Sequence, residues 1–246
     1  MNCKHCGFSV SGDYQFCPGC GESVHTHRLD IKHVMHEFIH AFLHADKGIF
    51  LLVKELAIHP GEAALAYAGG NRKKYFNPVS FLLIAGGITF FIRYKLGFNA
   101  TMGSKKLIYY TGEFIHQFST PIIICVIPLL SLYSWLFFKS SGKNYAENMV
   151  MNMYMMGEYH LFSIFVVAIP AYFFPQFNYL FTVAAFPLLA AYYYFTCSNF
   201  FKQARGATIA KVIVVELLFM FTFGIAMGIS LIFFLIKSGL HIKELQ

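Results

Sequence analysis

Four of the six cysteines stand within the first twenty residues as two tight pairs, Cys3-Lys4-His5-Cys6-Gly7 and Cys17-Pro18-Gly19-Cys20-Gly21, with ten residues between them. Four thiolates satisfy a tetrahedral zinc ion, and each Cys-x-x-Cys turn aims two sulfurs at it. Gly7 and Gly21 follow the second cysteine of each pair, where a backbone without Cβ lets its amides approach sulfur. A head of this size is too small to hold itself by apolar burial, so the metal would supply its folding energy. Two disulfides are the competing reading, and iron takes the same four ligands. Cys125 and Cys197 lie in apolar runs and read as small hydrophobes.

A second set of candidate ligands follows. His33, His36, His40 and His44 recur at helical spacing opposite Ile31, Val34, Met35, Phe38, Ile39, Phe42 and Leu43. This reads as an amphipathic helix on a membrane surface, its histidines forming a polar stripe. The string His36-Glu37-Phe38-Ile39-His40 also spells H-E-x-x-H, in which two histidines bind zinc and the glutamate activates water. His44, Asp46 and His59 are the candidates for the third ligand that chemistry needs. Glu37-Phe38-Ile39-His40 recurs as Glu113-Phe114-Ile115-His116, and two E-x-x-H units with further glutamates from Glu147, Glu158 or Glu216 would make a di-iron site. The two units fall on opposite sides of the membrane in the topology below, which argues against it. Met149, Met151, Met153, Met155 and Met156 are dense enough to suggest Cu(I), but on a helix they spread over several faces and read as packing. Glu216 lies inside an apolar run and needs a partner on another helix, with His160 or Asn152 as candidates.

The composition says what must position these groups. Of 246 residues, 57% are hydrophobic and 13% charged, with 29 Phe, 15 Tyr and a mean hydropathy of +0.55. A water-exposed globule cannot hide that much apolar surface, which excludes an ordinary soluble enzyme, a disordered chain and a secreted disulfide scaffold. The reading is an all-α multi-pass membrane helix bundle with about five spans, at Val79–Leu96, Thr120–Phe138, Glu158–Phe174, Phe177–Cys197 and Ile209–Ile236. Asn77-Pro78 opens the first as N-cap and first helical residue. Three regions result: a zinc-ribbon head at 1–24, juxtamembrane amphipathic helices at 25–78 and a transmembrane region at 79–246. The polar start lacks the pattern of a secretory signal peptide.

The net charge of +7 reads as an orientation signal rather than a nucleic-acid footprint, since residues 1–24 carry one Lys against Asp13 and Glu22. With the N-terminus in the cytoplasm, thirteen Lys and Arg lie inside and six outside. The expected partners are the lipid bilayer, anionic headgroups at the cytosolic face and a protein contact through the zinc ribbon.

The cysteine knuckles, then His33–His44, Asp46-Lys47-Gly48, Pro60-Gly61 and above all Tyr67-x-x-Gly70-x-Arg72-x-x-Tyr75-x-Asn77-Pro78 resemble the bacterial membrane proteins grouped as domain of unknown function 3667. The resemblance covers about the first ninety residues. It implies a zinc-ribbon head, a juxtamembrane segment and several spans, and brings no activity or catalytic residue. The leading expectation is a non-enzymatic protein of a bacterial inner membrane with a cytosolic four-cysteine zinc module built on Cys3, Cys6, Cys17 and Cys20. The rivals are a membrane-embedded metal-dependent hydrolase or di-iron-type enzyme using His36, His40 and His44, and a transporter for a small solute, ion or lipid using Glu216.

Overall fold

The computed structural model describes residues 3, 6–10, 14–21, 31, 49–72, 74–96 and 106–237. Among them the regular structure is helical, apart from isolated bridge residues at Ser9 and Phe16. Two short helices, α1 (Ile49–Ile58) and α2 (Glu62–Ala68), precede the long ones. Then come α3 (Pro78–Lys95), α4 (Lys106–Phe137), α5 (Tyr145–Ser163), a π-helical segment (Ile164–Ala168), α6 (Ile169–Phe173), α7 (Asn178–Phe201) and α8 (Arg205–Lys237). Four helical stretches among the described residues are long and apolar enough to cross a membrane: Pro78–Lys95, Tyr145–Phe173, Pro175–Phe201 and Arg205–Phe234. The remaining expected span, Thr120–Phe138, falls in α4, where Ile124–Phe137 is a shorter apolar helix.

Local chemistry sets the helix starts. The Asn77 side chain accepts from the amides of Val79 and Ser80, and Pro78 takes the first helical position, where its missing N–H costs nothing. Asn144 and Glu147 form a reciprocal capping box at 2.8 Å each way, satisfying two amides that the first turn leaves unbonded. That cap starts α5 well before Glu158, where the apolar run alone suggested a span. Asn148, Asn152 and the methionines are therefore part of the helix.

α5 is the central helix, buried along most of its length. α3 lies parallel to it: Tyr154 donates to the Phe76 carbonyl at 2.6 Å, Gly157 sits against Phe81, and Thr89 donates to the His160 carbonyl at 2.9 Å. α4 runs antiparallel, with Ser134 on Asn148 and Ser131 on Asn152. Met151, Met153, Met155 and Met156 are buried in one apolar core with Phe81, Leu130, Tyr193 and Phe200, which is the packing role expected of them.

α1 and α2 join that same core through Leu52, Leu56, Ala63, Ala64 and Tyr67. Tyr192 donates to the Leu56 carbonyl and Asn199 to the Pro60 carbonyl, tying both short helices to α7. The inner face of this segment is thus covered by protein, while Phe50 and Ile58 remain exposed on the outer one.

Candidate metal centre

The cysteine head is built from two equivalent turns. Gly7 donates to the Cys3 carbonyl at 2.9 Å and Gly21 to the Cys17 carbonyl at 2.7 Å. Both glycines have positive φ, +74° and +68°, the left-handed conformation that other residues resist. Cys3 and Cys17 are buried around Val10, with Cys20 packed against them. The turns bring all four Sγ atoms within 4.8 Å of one another. The closest pairs cross between turns: Cys3 to Cys20 and Cys6 to Cys17, both at 3.6 Å.

Those separations discriminate between the readings of the four cysteines. A disulfide holds its sulfurs about 2.0 Å apart. A tetrahedron of sulfurs with metal bonds of about 2.3 Å has edges of about 3.8 Å, close to the observed spacing. The four thiols therefore lie close enough together that they could hold a metal ion. Among the described residues no other group of three or more His, Cys, Asp or Glu comes together in this way.

The other expected ligands fare differently. His36, His40, His44 and Asp46 lie outside the described residues. His59 is exposed just beyond α1. Glu113 and His116 belong to α4, and their side chains are outside the described set. Of the glutamates offered for a di-iron site, Glu147 is committed to its capping box. Glu158 is buried within electrostatic reach of Tyr192, whereas Glu216 is within reach of Tyr193 and Cys197. Neither candidate partner of Glu216 takes that role: Asn152 gives its amide to Ser131 and Ser134 at 3.2 and 3.1 Å, and His160 lies near Arg93.

This Asn–Ser cluster is a polar feature that residue-by-residue reading misses. Ser134 also reaches Asn148 at 3.0 Å, so four polar side chains bridge α4 and α5 in the interior. Its signal was available in the spacing: Asn148 and Asn152 are four apart, Ser131 and Ser134 three apart, each pair on one helix face.

One end of the bundle is cationic. Lys139 stands over Trp135, Lys143 over Phe200 and Lys211 over Phe138, at 6.0, 5.3 and 5.2 Å from the ring centres. Phe138 and Phe201 stack at 4.1 Å, joining the α4–α5 and α7–α8 turns. Glu55, Lys74 and Tyr75 are at the same end, beside the start of α3. Lys74 pairs with Glu55 at 2.9 Å and donates to Tyr75 at 3.0 Å, while Tyr75 donates to Glu55. Burial pushes the Glu55 carboxyl up, but the hydrogen bonds from Tyr75 and Lys74 and the Lys74 charge outweigh it and hold it below the ordinary value. Lys74 is held above its ordinary value, first by its bond to Tyr75 and then by that to Glu55.

Residues 46–90 match the family model described as Protein of unknown function (DUF3667). These residues are similar to DUF3667. No curated protein and no solved structure matches the chain. The DUF3667 segment comprises α1, α2 and most of α3, and the motif residues within it do structural work. Tyr67 meets Tyr154 edge-on with ring centres 5.8 Å apart, and Gly70 takes a φ of +105°. Tyr75 closes on Glu55, and Asn77 caps α3. The segment is a clamp that fixes the entry to α3 against the central helix.

Proposed function

We propose that the chain is an integral protein of a bacterial inner membrane whose four N-terminal cysteines hold one structural zinc ion. The head faces the cytoplasm and acts as an interaction or stability module without catalysis. The observation that carries this reading is the four-sulfur cage formed by Cys3, Cys6, Cys17 and Cys20. Four protein thiolates fill a tetrahedron and leave no position for water or substrate, which is the pattern of structural rather than catalytic zinc. The cationic end of the bundle supports the orientation. Lys139, Lys143 and Lys211 gather where α3 begins, and positively charged ends stay in the cytoplasm.

Metal content of the purified full chain tests this. One zinc per chain is expected, lost in Cys6→Ser and Cys17→Ser and kept in His36→Ala and His40→Ala. A second tightly held metal that disappears with either histidine variant would overturn the reading in favour of a metal-dependent enzyme. Membrane residence is tested by alkaline extraction of cell membranes, in which the protein should stay in the pellet.

A further inference from the structure

The chain has a cavity of about 230 Å³ between α5 and α7, open on one side and walled almost entirely by carbon. Phe162, Val166, Ala185, Leu188 and Leu189 form its walls together with Tyr159 and Tyr192. Its shape has a cause in the sequence. Pro170 has no N–H for the Val166 carbonyl and would crowd it in an α-helix. The chain answers with the π-helical turn Ile164–Ala168, in which the Ile169 amide bonds back to the Ile164 carbonyl. Pro187 interrupts the bonding of α7 on the opposite wall. Both helices that wall the gap thus carry an interrupted ladder.

A cation borders the gap. Arg93 donates through Nη2 to Ser163 Oγ, a wall residue, at 3.3 Å. It lies fifteen residues after Pro78, about 22 Å along the helix, at the end of the bundle opposite Lys139, Lys143 and Lys211. Lys95 is two residues beyond, over Phe91, and exposed Tyr94 stands between them as an interfacial ring. The acidic group near the cavity, Glu158, is buried and within electrostatic reach of Tyr192. A molecule with an apolar tail in the groove and an anionic head therefore finds its counter-charge at Arg93.

We propose that this groove holds one acyl chain of an anionic phospholipid from the leaflet opposite the cationic rim, with its phosphate met by Arg93. The inference rests on the membrane reading above. An apolar tail in the groove loses no more than it would in lipid, so selectivity must come from the head. A cation near a membrane surface contributes about 1 kcal/mol to an anionic headgroup, which corresponds to about a fivefold preference.

The test is native mass spectrometry of the full chain released from nanodiscs of equal phosphatidylglycerol and phosphatidylcholine with matched chains. One retained lipid is expected, phosphatidylglycerol over phosphatidylcholine by about fivefold. Arg93→Gln should bring the ratio to parity, Arg93→Lys should keep it, and Ala185→Phe should empty the groove of both lipids. Equal retention by the wild-type chain, or an unchanged preference in Arg93→Gln, overturns the proposal. Recovery of the protein in the soluble fraction would instead overturn the membrane reading, so the two failures are distinct.

Discussion

Gly61 meets Thr196 backbone to backbone: a Cβ on Gly61 would stand 2.3 Å from the Thr196 carbonyl oxygen. The contact seats the start of α2 on α7, and Asn199 bonds the neighbouring Pro60 carbonyl at 2.8 Å. Gly61 also has a φ of +89°, so two independent demands exclude a side chain there.

Gly61→Ala should therefore lower the melting temperature of the detergent-purified protein more than Gly142→Ala does. Gly142 has a φ of +72° but open space around it, so its substitution costs only the conformational strain, about 1 kcal/mol. Gly61→Ala adds a backbone clash that no rotamer change relieves. Equal losses in the two variants would mean that α2 does not dock on α7.

The Glu55–Lys74–Tyr75 cluster gives a pH signature. Glu55 has a lowered pKa, so its contribution is complete above about pH 4.5 and is lost as pH falls through its lower folded value. Lys74 has a raised pKa, so its share is complete below about pH 10.5 and is lost as pH rises through the raised value. Glu55→Gln should destabilise by under about 1 kcal/mol at neutral pH, because the pair is partly solvated. That deficit should shrink as the pH drops below about 4.5, where the wild-type carboxyl also loses its charge. Melting curves of both proteins between about pH 3 and 8, a range wide enough to cover the ordinary carboxyl value, read this directly.

Asn152→Ala removes two side-chain bonds from the interior. The Ser131 and Ser134 hydroxyls keep backbone acceptors at Ile127 and Ser131, at 2.9 and 3.1 Å. The loss should be about 1 kcal/mol, the scale of interhelical polar contacts in membranes. A loss several times larger, measured by unfolding in mixed micelles, would show that the cluster supports more than the α4–α5 contact.

In the head, Gly21→Val should weaken zinc retention by about fivefold or more, since forcing a β-branched residue to the φ of +68° costs about 1 kcal/mol or more. Competition with a chromophoric chelator measures it. Substitution of Gly19, which lacks that positive φ, should leave retention nearly unchanged.

Much of this was legible in the order of residues alone. The cysteine cage was, because each knuckle is a local turn whose spacing and glycine are set within five residues. The start of α3 was legible for the same reason, since Asn77 and Pro78 act on the backbone beside them. The start of α5 was not. Its cap, Asn144 with Glu147, lies outside the apolar run, so hydropathy placed the span from Glu158 onward.

Composition alone pointed to a bundle of apolar helices, and four described helical stretches are long and apolar enough to cross a membrane. Local spacing then pointed to the four-cysteine cluster and the α3 cap, each built from turns of a few residues. Everything that depends on which helices are neighbours had to wait for the packed chain. Glu216 proved to sit by Tyr193 and Cys197 rather than His160 or Asn152. Arg93 proved to reach Ser163, seventy residues on. Within the expected juxtamembrane segment 25–78, residues 49–68 proved to pack one face into the core beside α5 and α7. Such pairings are free energies of contact between distant parts of the chain, and an apolar helix with several greasy faces does not announce which face its neighbour will take.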